Sequence, residues 1–290
     1  LVGKAKVEEG LKKGIFMREA DNSVWADLTD DGLDRKLLLR SDGTSVYMTQ
    51  DIGMAISRHD DWPFNRLVYV VASEQIYHFK VLFYIMKKLG YDWYTKLFHL
   101  AYGMVNLPEG KMKSREGTVV DADDLITDLK NGALEEIAAK GREEAVGNPE
   151  EVAEKVALGA LHYFLLQVDA MKDMLFNTKE SLSFNGNTGP YIQYMGARIS
   201  SILRKAETEE GKNAKAGTVK PELLGSEAEW ALLKKLEEFP AQIDKAAAQY
   251  TPTLITGYLY DVCKLFSRFY HDCPCLLYTS DAADDLLCVD

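Results

Sequence analysis

Residues 103–125, GMVNLPEGKMKSREGTVVDADDL, join two halves of the chain that differ in their hydrophobic patterns. The residues that lead into this stretch predict a strand, and the acidic run at its end predicts the start of a helix. Between the two, cationic side chains are concentrated on a glycine-flanked loop at Lys111, Lys113 and Arg115. Such a loop can close on an anionic ligand such as a triphosphate. On composition alone, a solvated basic turn is the simpler interpretation.

The first half of the chain alternates predicted strands with predicted helices. The Asp42-Gly43 pair between β-prone runs predicts a hairpin, and the apolar run RLVYVVA at 66–72 predicts a strand buried on both faces. The expected elements are strands at 36–40 and 45–49, a helix at 50–58, a strand at 66–72, a helix at 74–89 and a strand at 97–105. This order predicts a parallel crossover unit, whose ligands bind at the carboxyl ends of the strands.

A polar, helix-breaking stretch at 141–149 follows, and beyond it the sequence predicts helices and no strands. The expected helices cover 152–171, 191–208, 226–248 and 252–270. The predicted fold class is therefore α/β followed by all-α, with domains at 1–145 and 150–276. Residues 277–290, LYTSDAADDLLCVD, do not continue the pattern and are predicted to be a non-native tail.

Composition and charge narrow the function classes. The chain has 290 residues, 47% hydrophobic content and a net charge of −11, which indicates a globular protein and disfavours indiscriminate nucleic-acid binding. No apolar run approaches the ~20 residues that a membrane span needs. The four cysteines form no CxxC pair, so we expect reduced thiols in a cytoplasm, without a zinc site or disulfides. Because the first residue is not Met, we expect the chain to begin within a longer protein.

Three stretches together resemble the arginyl-tRNA synthetase family of class I aminoacyl-tRNA synthetases. They are LLLRSDGTSVYMTQDIG at 37–53, the stretch at 103–125 with its Lys111-Met112-Lys113-Ser114-Arg115 variant of the KMSKS signature, and NTGPYIQYMGARISSIL at 187–203. The resemblance covers nearly all of residues 1–276. It implies the C-terminal half of a Rossmann-like class I catalytic domain, followed by a helical-bundle, DALR-type domain that binds the anticodon. The family's His-x-Gly-His motif is absent, so we expect a fragment without that half of the catalytic fold.

The resemblance assigns residues to an arginine pocket and to a nucleotide site. Tyr47-x-x-x-Asp51 and Gln75 match the pocket, where the Asp51 carboxylate would accept two parallel N–H bonds from the guanidinium group. The residues matched to ATP are His78, Gly103, Met104, Val105, Lys111 and Met112. Without the resemblance, Asp51 is interpreted as a helix N-terminal charge and His78 as a structural histidine on an apolar helix.

The resemblance also assigns roles in the loop and in the helical half. The predicted catalytic residues of the loop are Lys111, Lys113, Ser114 and Arg115. Ser114 stands where the signature has its usual lysine, and the sequence leaves open whether Lys113 or Arg115 replaces that charge. The residues matched to tRNA binding are Tyr191, Tyr194, Arg198, Arg204 and Lys205, whose aromatic rings and cations suit RNA.

The implied reaction is ATP-dependent ligation of L-arginine to its cognate tRNA through arginyl-adenylate, which is an arginine–tRNA ligase activity. The implied partners are tRNA(Arg), L-arginine and ATP, and Mg²⁺ is expected to arrive bound to ATP as substrate. We expect no tightly bound cofactor, no metal site in the protein and no association with a membrane. A monomer in the cytoplasm is expected. The chain alone is expected to be inactive, because half of the catalytic fold is missing. Two alternatives stay open: a non-catalytic RNA-binding helical module, and another class I synthetase such as the cysteinyl enzyme.

Overall fold

The architecture comes from a computed structural model that describes residues 2–106, 121–139, 141, 147–207 and 221–273. Its packing divides the chain into two compact units, Leu1–Met104 and Val105–Asp290. The domain limits predicted from the sequence stay predictions, since compactness alone does not define a family domain. Within the described ranges, no helix is both long enough and apolar enough to cross a membrane.

The first unit combines an antiparallel sheet, a parallel strand pair and helices around one apolar core. Its elements are α1 (Val2–Lys12), β1 (Met17–Arg18), β2 (Val24–Ala26), β3 (Lys36–Leu39), α2 (Tyr47–Asp61), β4 (Leu67–Ala72), α3 (Ile76–Lys88) and β5 (Leu97–Tyr102). Strand β2 pairs antiparallel with both β1 and β3, whereas β4 and β5 pair in parallel. Both the helices and the antiparallel sheet contribute fully buried side chains to this core, among them Val7, Leu38, Ile52 and Leu82. This half therefore has the α/β character that the sequence predicts.

Two glycines let α1 and α2 cross closely. A Cβ at Gly3 would lie 1.8 Å from the carbonyl oxygen of Thr49, and a Cβ at Gly53 would lie 2.6 Å from the Gly3 nitrogen. No side chain fits at these separations unless a backbone moves. The crossing holds α2, which carries two of the predicted pocket residues, against the N-terminal helix.

The predicted parallel crossover unit is formed by β4, α3 and β5. The two strands stay in register through to Ala72↔Tyr102, so both end at the same edge. The predicted burial of residues 66–72 on both faces is wrong. Among the described residues the sheet contains only these two strands, and Val70 is 63% exposed.

Helix α2 begins earlier than the sequence predicts. The prediction places a strand at 45–49, but Tyr47 is already the first residue of α2. Thr49 explains the difference, because its hydroxyl accepts the Val46 N–H and donates to the Leu38 carbonyl. This side chain caps the helix and holds its start against β3, so a continued strand would lose both hydrogen bonds.

The second unit is helical apart from one short strand pair. Its elements are β6 (Val105–Asn106), α4 (Ala122–Ala139), α5 (Pro149–Leu166), β7 (Met174–Leu175), α6 (Thr178–Ser181), α7 (Gly189–Glu207), α8 (Glu227–Glu237), α9 (Phe239–Gln249) and α10 (Thr253–Asp272). The pairing of β6 with β7 is parallel. The strand predicted at 97–105 therefore ends at Tyr102, and a two-residue strand follows position 149 where none is predicted.

Two helices, α5 and α10, organise the packing of the second unit. Helix α5 packs against α4 and α7, and α10 packs against α7, α8 and α9. Helix α4 contributes buried residues spaced four apart: Leu129, Ala133 and Ile137. The helix predicted at 226–248 is divided at Glu238, because Pro240 lies in the first turn of α9, where proline can begin a helix but not continue one.

Candidate active site

Tyr47 and Asp51 lie one turn apart on the same face of α2. Tyr47 is the first helical residue, and 82% of it is exposed. The Asp51 side chain is 39% exposed. The helix therefore places the two residues of the Tyr-x-x-x-Asp pattern next to each other, with the ring in solvent and the carboxylate half-sheltered.

The Asp51 carboxylate contacts a histidine of the next helix. His78 Nε2 lies 2.6 Å from Asp51 Oδ2, and 20% of the histidine side chain is exposed. Among the described residues, neither Asp51 Oδ1 nor His78 Nδ1 has a hydrogen-bond partner. An ionised carboxylate can only accept, so Nε2 carries the proton in this contact. The histidine matched to ATP thus lies against the carboxylate matched to arginine, and its role at ATP stays a prediction.

Gln75, Gly103 and Met104 follow the carboxyl ends of the two parallel strands. Strand β4 ends at Ala72, and β5 ends at its register partner Tyr102. Gln75 immediately precedes α3 and its side chain is exposed. Gly103 is buried, and Met104 is 41% exposed. The strand pair therefore gathers residues predicted for arginine and residues predicted for ATP at one edge of the first unit.

The surroundings of Asp51 include two residues that the sequence analysis missed, Tyr69 and Arg58. The Tyr69 hydroxyl is buried and has no hydrogen-bond partner in the described part of the chain, and the Arg58 guanidinium lies 5.8 Å from its ring centroid. Burial raises the pKa of Tyr69, the positive charge of Arg58 opposes this rise, and the negative charge of Asp51 adds to it. The signal in the sequence is the single hydroxyl within the apolar run at 66–72.

The predicted cationic loop lies outside the described residues. This applies to all five members of the predicted signature: Lys111, Met112, Lys113, Ser114 and Arg115. The predicted tail at 277–290 also lies outside the described residues. Their roles stay predictions. Val105, matched to ATP, belongs to β6 of the second unit, where it pairs with Met174.

The residues predicted to bind tRNA lie on α7 of the second unit. Tyr191 and Tyr194 are partly buried in the apolar cluster that α7 forms with α10. The Arg198 guanidinium carbon lies 5.3 Å from the Tyr194 ring centroid. Arg204 is exposed, and Lys205 belongs to the same helix. The aromatic members of the set are therefore used in helix packing, and their role in tRNA binding stays a prediction.

Two family models match the chain. The model for tRNA synthetases class I (R), catalytic domain, matches residues 5–178, and the model for the DALR anticodon binding domain matches residues 192–287. The first of these is specific for the arginine enzyme, so the match disfavours the cysteinyl alternative. Together they confirm the predicted order of a class I catalytic part followed by an anticodon-binding part.

Individual relatives agree with the family models. The arginine–tRNA ligase of Treponema denticola is 64% identical over 277 residues, which cover 95% of this chain and 47% of that protein. The arginine–tRNA ligase of Phocaeicola vulgatus is 53% identical and is covered to 46%. The chain thus spans about half the length of the curated relatives that it matches.

A solved structure shows the same fold. The arginyl-tRNA synthetase of Thermus thermophilus matches with a TM-score of 0.78 at 24% identity, over 97% of this chain and 51% of that one. The predicted fold class, α/β followed by all-α, is confirmed by this match and by the two family models. The class I catalytic match alone covers more than half of the residues. The chain therefore belongs to the class I arginyl-tRNA synthetase family.

Proposed function

We propose that the protein ligates L-arginine to tRNA(Arg) at the expense of ATP, with the arginine pocket in the first unit and tRNA contacts in the helical unit. Family membership supports this reaction class. The observation that carries the proposal is Asp51. It is a partly exposed carboxylate whose Oδ1 accepts no hydrogen bond from any described residue, one helical turn from an exposed tyrosine.

The Asp51 carboxylate suits a guanidinium group in both charge and shape. Two parallel N–H bonds from guanidinium need two carboxylate oxygens, and Oδ2 retains a second lone pair beside its contact with His78. The exposed Tyr47 ring provides a flat surface on which a guanidinium plane can stack. A neutral amino acid would bring neither a positive charge nor a pair of parallel donors to the carboxylate, and this difference is the main source of discrimination.

The two chemical steps require positioning and charge stabilisation. In the first step an oxygen of the arginine carboxylate attacks the α-phosphorus of MgATP, and the bond to pyrophosphate breaks. In the second step a ribose hydroxyl of the tRNA 3′ end attacks the arginyl carbonyl, and AMP leaves. Lys113 or Arg115 would stabilise the departing pyrophosphate, and the backbone at Gly103 would receive the adenine. A protein nucleophile is not required.

The remaining features of the function rest on the family and on the sequence. ATP, arginine and tRNA follow as substrates from the kind of enzyme the family contains. Mg²⁺ delivered with ATP, the lack of a tightly bound cofactor, the monomeric state and the cytoplasmic location are predictions from the sequence. The tRNA contacts are proposed for α7, whose Arg204 is exposed.

The direct test is amino-acid-dependent ATP–pyrophosphate exchange by the full-length protein that carries this sequence. We expect exchange with L-arginine in the presence of tRNA(Arg), and none with L-cysteine or L-lysine. Charging of tRNA(Arg) with labelled arginine should follow in the same preparation. Binding of tRNA without any exchange would contradict the proposal and favour the non-catalytic RNA-binding module.

A further inference from the structure

His78 has a defined partner in the arginine pocket. Its Nε2 lies 2.6 Å from Asp51 Oδ2, and its side chain is four-fifths buried, as shown by a remaining exposure of 20%. The two residues are on different helices, α2 and α3. A hydrogen bond between two helices fixes a side chain more firmly than a bond to its own turn, because both backbones are held by packing.

The contact selects one orientation of the Asp51 carboxylate. An aspartate side chain rotates freely about its last bond unless a partner fixes the plane of the carboxylate. With Nε2–H donated to Oδ2, the unpartnered Oδ1 and the second lone pair of Oδ2 remain to accept from a ligand. A guanidinium group needs two acceptors in one plane, so a fixed carboxylate plane lowers the entropy lost on binding.

The imidazole is itself held by its neighbours. The ring of His78 meets the ring of Phe79 edge to face, with centroids 5.6 Å apart. Phe79 is buried in the core of the first unit. His78 lies in the first turn of α3, three residues beyond Gln75, which immediately precedes that helix. The histidine therefore connects the α2 part of the pocket with its α3 part.

We propose that His78 is a positioning residue that orients the Asp51 carboxylate for the guanidinium group of arginine, and that it does not contact the nucleotide. The inference rests on the proposed function, because it assigns Asp51 to arginine. Its Nε2 is already used at Asp51 and four-fifths of the side chain is covered, so the donating nitrogen serves the arginine pocket. A contact with ATP would have to use Nδ1, and the KM for ATP tests that possibility. His78 then affects the affinity for arginine and not the affinity for ATP.

Two substitutions separate this role from a structural one. His78→Phe keeps an aromatic ring beside Phe79 but removes the donor, whereas His78→Gln keeps an N–H donor near the position of Nε2. The matched control is His59→Phe, since His59 stacks on Trp93 with centroids 4.5 Å apart and belongs to no predicted site. Asp51→Asn serves as the reference for loss of the guanidinium acceptor. All four variants are compared in the full-length protein that carries this sequence.

The measurement is the KM for L-arginine and the KM for ATP in ATP–pyrophosphate exchange. We expect His78→Phe to raise the KM for arginine by about tenfold or more, with the KM for ATP within about twofold of wild type. His78→Gln should restore most of the affinity for arginine, and His59→Phe should change neither constant. An equal rise in both KM values, or a rise for ATP alone, would overturn the inference and return His78 to the nucleotide site.

The Asp51→Asn variant distinguishes a failure of the positioning role from a failure of the proposed function. If Asp51→Asn raises the KM for arginine and His78→Phe does not, the positioning role fails while the proposed function stands. If Asp51→Asn also leaves the KM for arginine unchanged, the assignment of Asp51 fails and the positioning role fails with it.

A spectroscopic measurement covers the case in which His78→Phe does not fold. Long-range ¹H–¹⁵N NMR of this chain resolves the protonated and unprotonated ring nitrogens of its five histidines. The Nε2 of His99 also carries a proton, because it donates to the Val71 carbonyl oxygen, and its signal should not change. We expect the Nε2 signal of one other histidine to change in Asp51→Asn. Loss of that signal in His78→Gln assigns it. Histidine signals that are all unchanged by Asp51→Asn would contradict the contact on which the inference depends.

Discussion

Tyr163 joins separate parts of the helical unit through its hydroxyl group. The oxygen lies 2.5 Å from Asn187 Oδ1, in the segment before α7, and 3.0 Å from the Thr256 carbonyl oxygen on α10. Burial raises the pKa of Tyr163 to about 12. Burial also raises the pKa of the Cys263 thiol, in the same unit, to about 11. Both groups are therefore kept neutral by the folded state.

These two groups make the helical unit sensitive to alkali. In the unfolded chain their protons are lost near the ordinary values of about 9 for the thiol and about 10 for the phenol. The folded state retains the protons to higher pH, so deprotonation favours unfolding, and the free energy of unfolding should fall between about pH 9 and about pH 12. Urea unfolding at a series of pH values measures this slope. Cys263→Ala should flatten its lower part, and an identical pH dependence in that variant would contradict the assignment.

The sequence predicts that Lys113 or Arg115 supplies the charge of the usual signature lysine. We predict that Lys113→Ala and Arg115→Ala reduce adenylate formation unequally, with the more important one lowering kcat for ATP–pyrophosphate exchange by about 10²-fold. Only one of the two cations is expected to reach the departing pyrophosphate. The exchange rate with saturating ATP and arginine measures the difference. Unchanged rates in both variants would remove this loop from the chemistry.

At the scale of single residues, the resemblance proposes which side chains take part but does not predict their contacts. The roles of Tyr47, Asp51 and Gln75 come from that resemblance and stay predictions. The contact of His78 with Asp51 depends on how α2 approaches α3, and the burial of the Tyr69 hydroxyl depends on the packing around β4. These distances are set by tertiary packing, which the local sequence does not encode.

At the scale of elements, the start of α7 depends on a glycine that fits against α5. A Cβ at Gly189 would lie 2.2 Å from the Gly159 carbonyl oxygen and 3.0 Å from the Ala160 Cα. Both neighbours are backbone atoms, so they cannot rotate away. The glycine of the NTGPY segment is therefore required for the close approach of two helices.

We predict that Gly189→Ala lowers the free energy of unfolding by about 1–3 kcal/mol, because the added methyl group must push α7 away from α5. Gly257→Ala is the matched control. Gly257 is an exposed residue of α10, and an added Cβ there meets nothing within 4 Å. That variant should be neutral or stabilising by up to about 1 kcal/mol, since alanine favours helix more than glycine does. Thermal and urea unfolding measure both. Equal stabilities for the two variants would show that the helices accommodate the methyl group.

The elements also show where local sequence is misleading. Residues 45–49 have the composition of a strand, yet the Thr49 hydroxyl caps a helix that starts at Tyr47. The apolar run at 66–72 does form a strand, but its pairing within the described chain leaves Val70 exposed. Hydrophobic pattern predicts the type of an element, whereas capping contacts and sheet neighbours decide its limits and its burial.

At the scale of the whole molecule, the chain spans 47% of the Treponema denticola relative. The nucleotide fold of class I synthetases includes the His-x-Gly-His motif, which this sequence lacks. We therefore predict that the 290-residue chain alone shows no arginine-dependent ATP–pyrophosphate exchange, whereas the full-length protein does. Measurable exchange by the isolated chain under the same conditions would contradict this prediction.

The central claim is that the Asp51 carboxylate recognises the guanidinium group. The most direct measurement is the ratio of kcat/KM for L-arginine to that for L-citrulline, its neutral ureido analogue, in ATP–pyrophosphate exchange by the full-length protein. Wild type should prefer arginine by about 10³-fold or more, and Asp51→Asn should reduce that preference by about 10²-fold, while Asp60→Asn on the same helix should not change it. An arginine-to-citrulline ratio in Asp51→Asn that equals the wild-type ratio would contradict the claim.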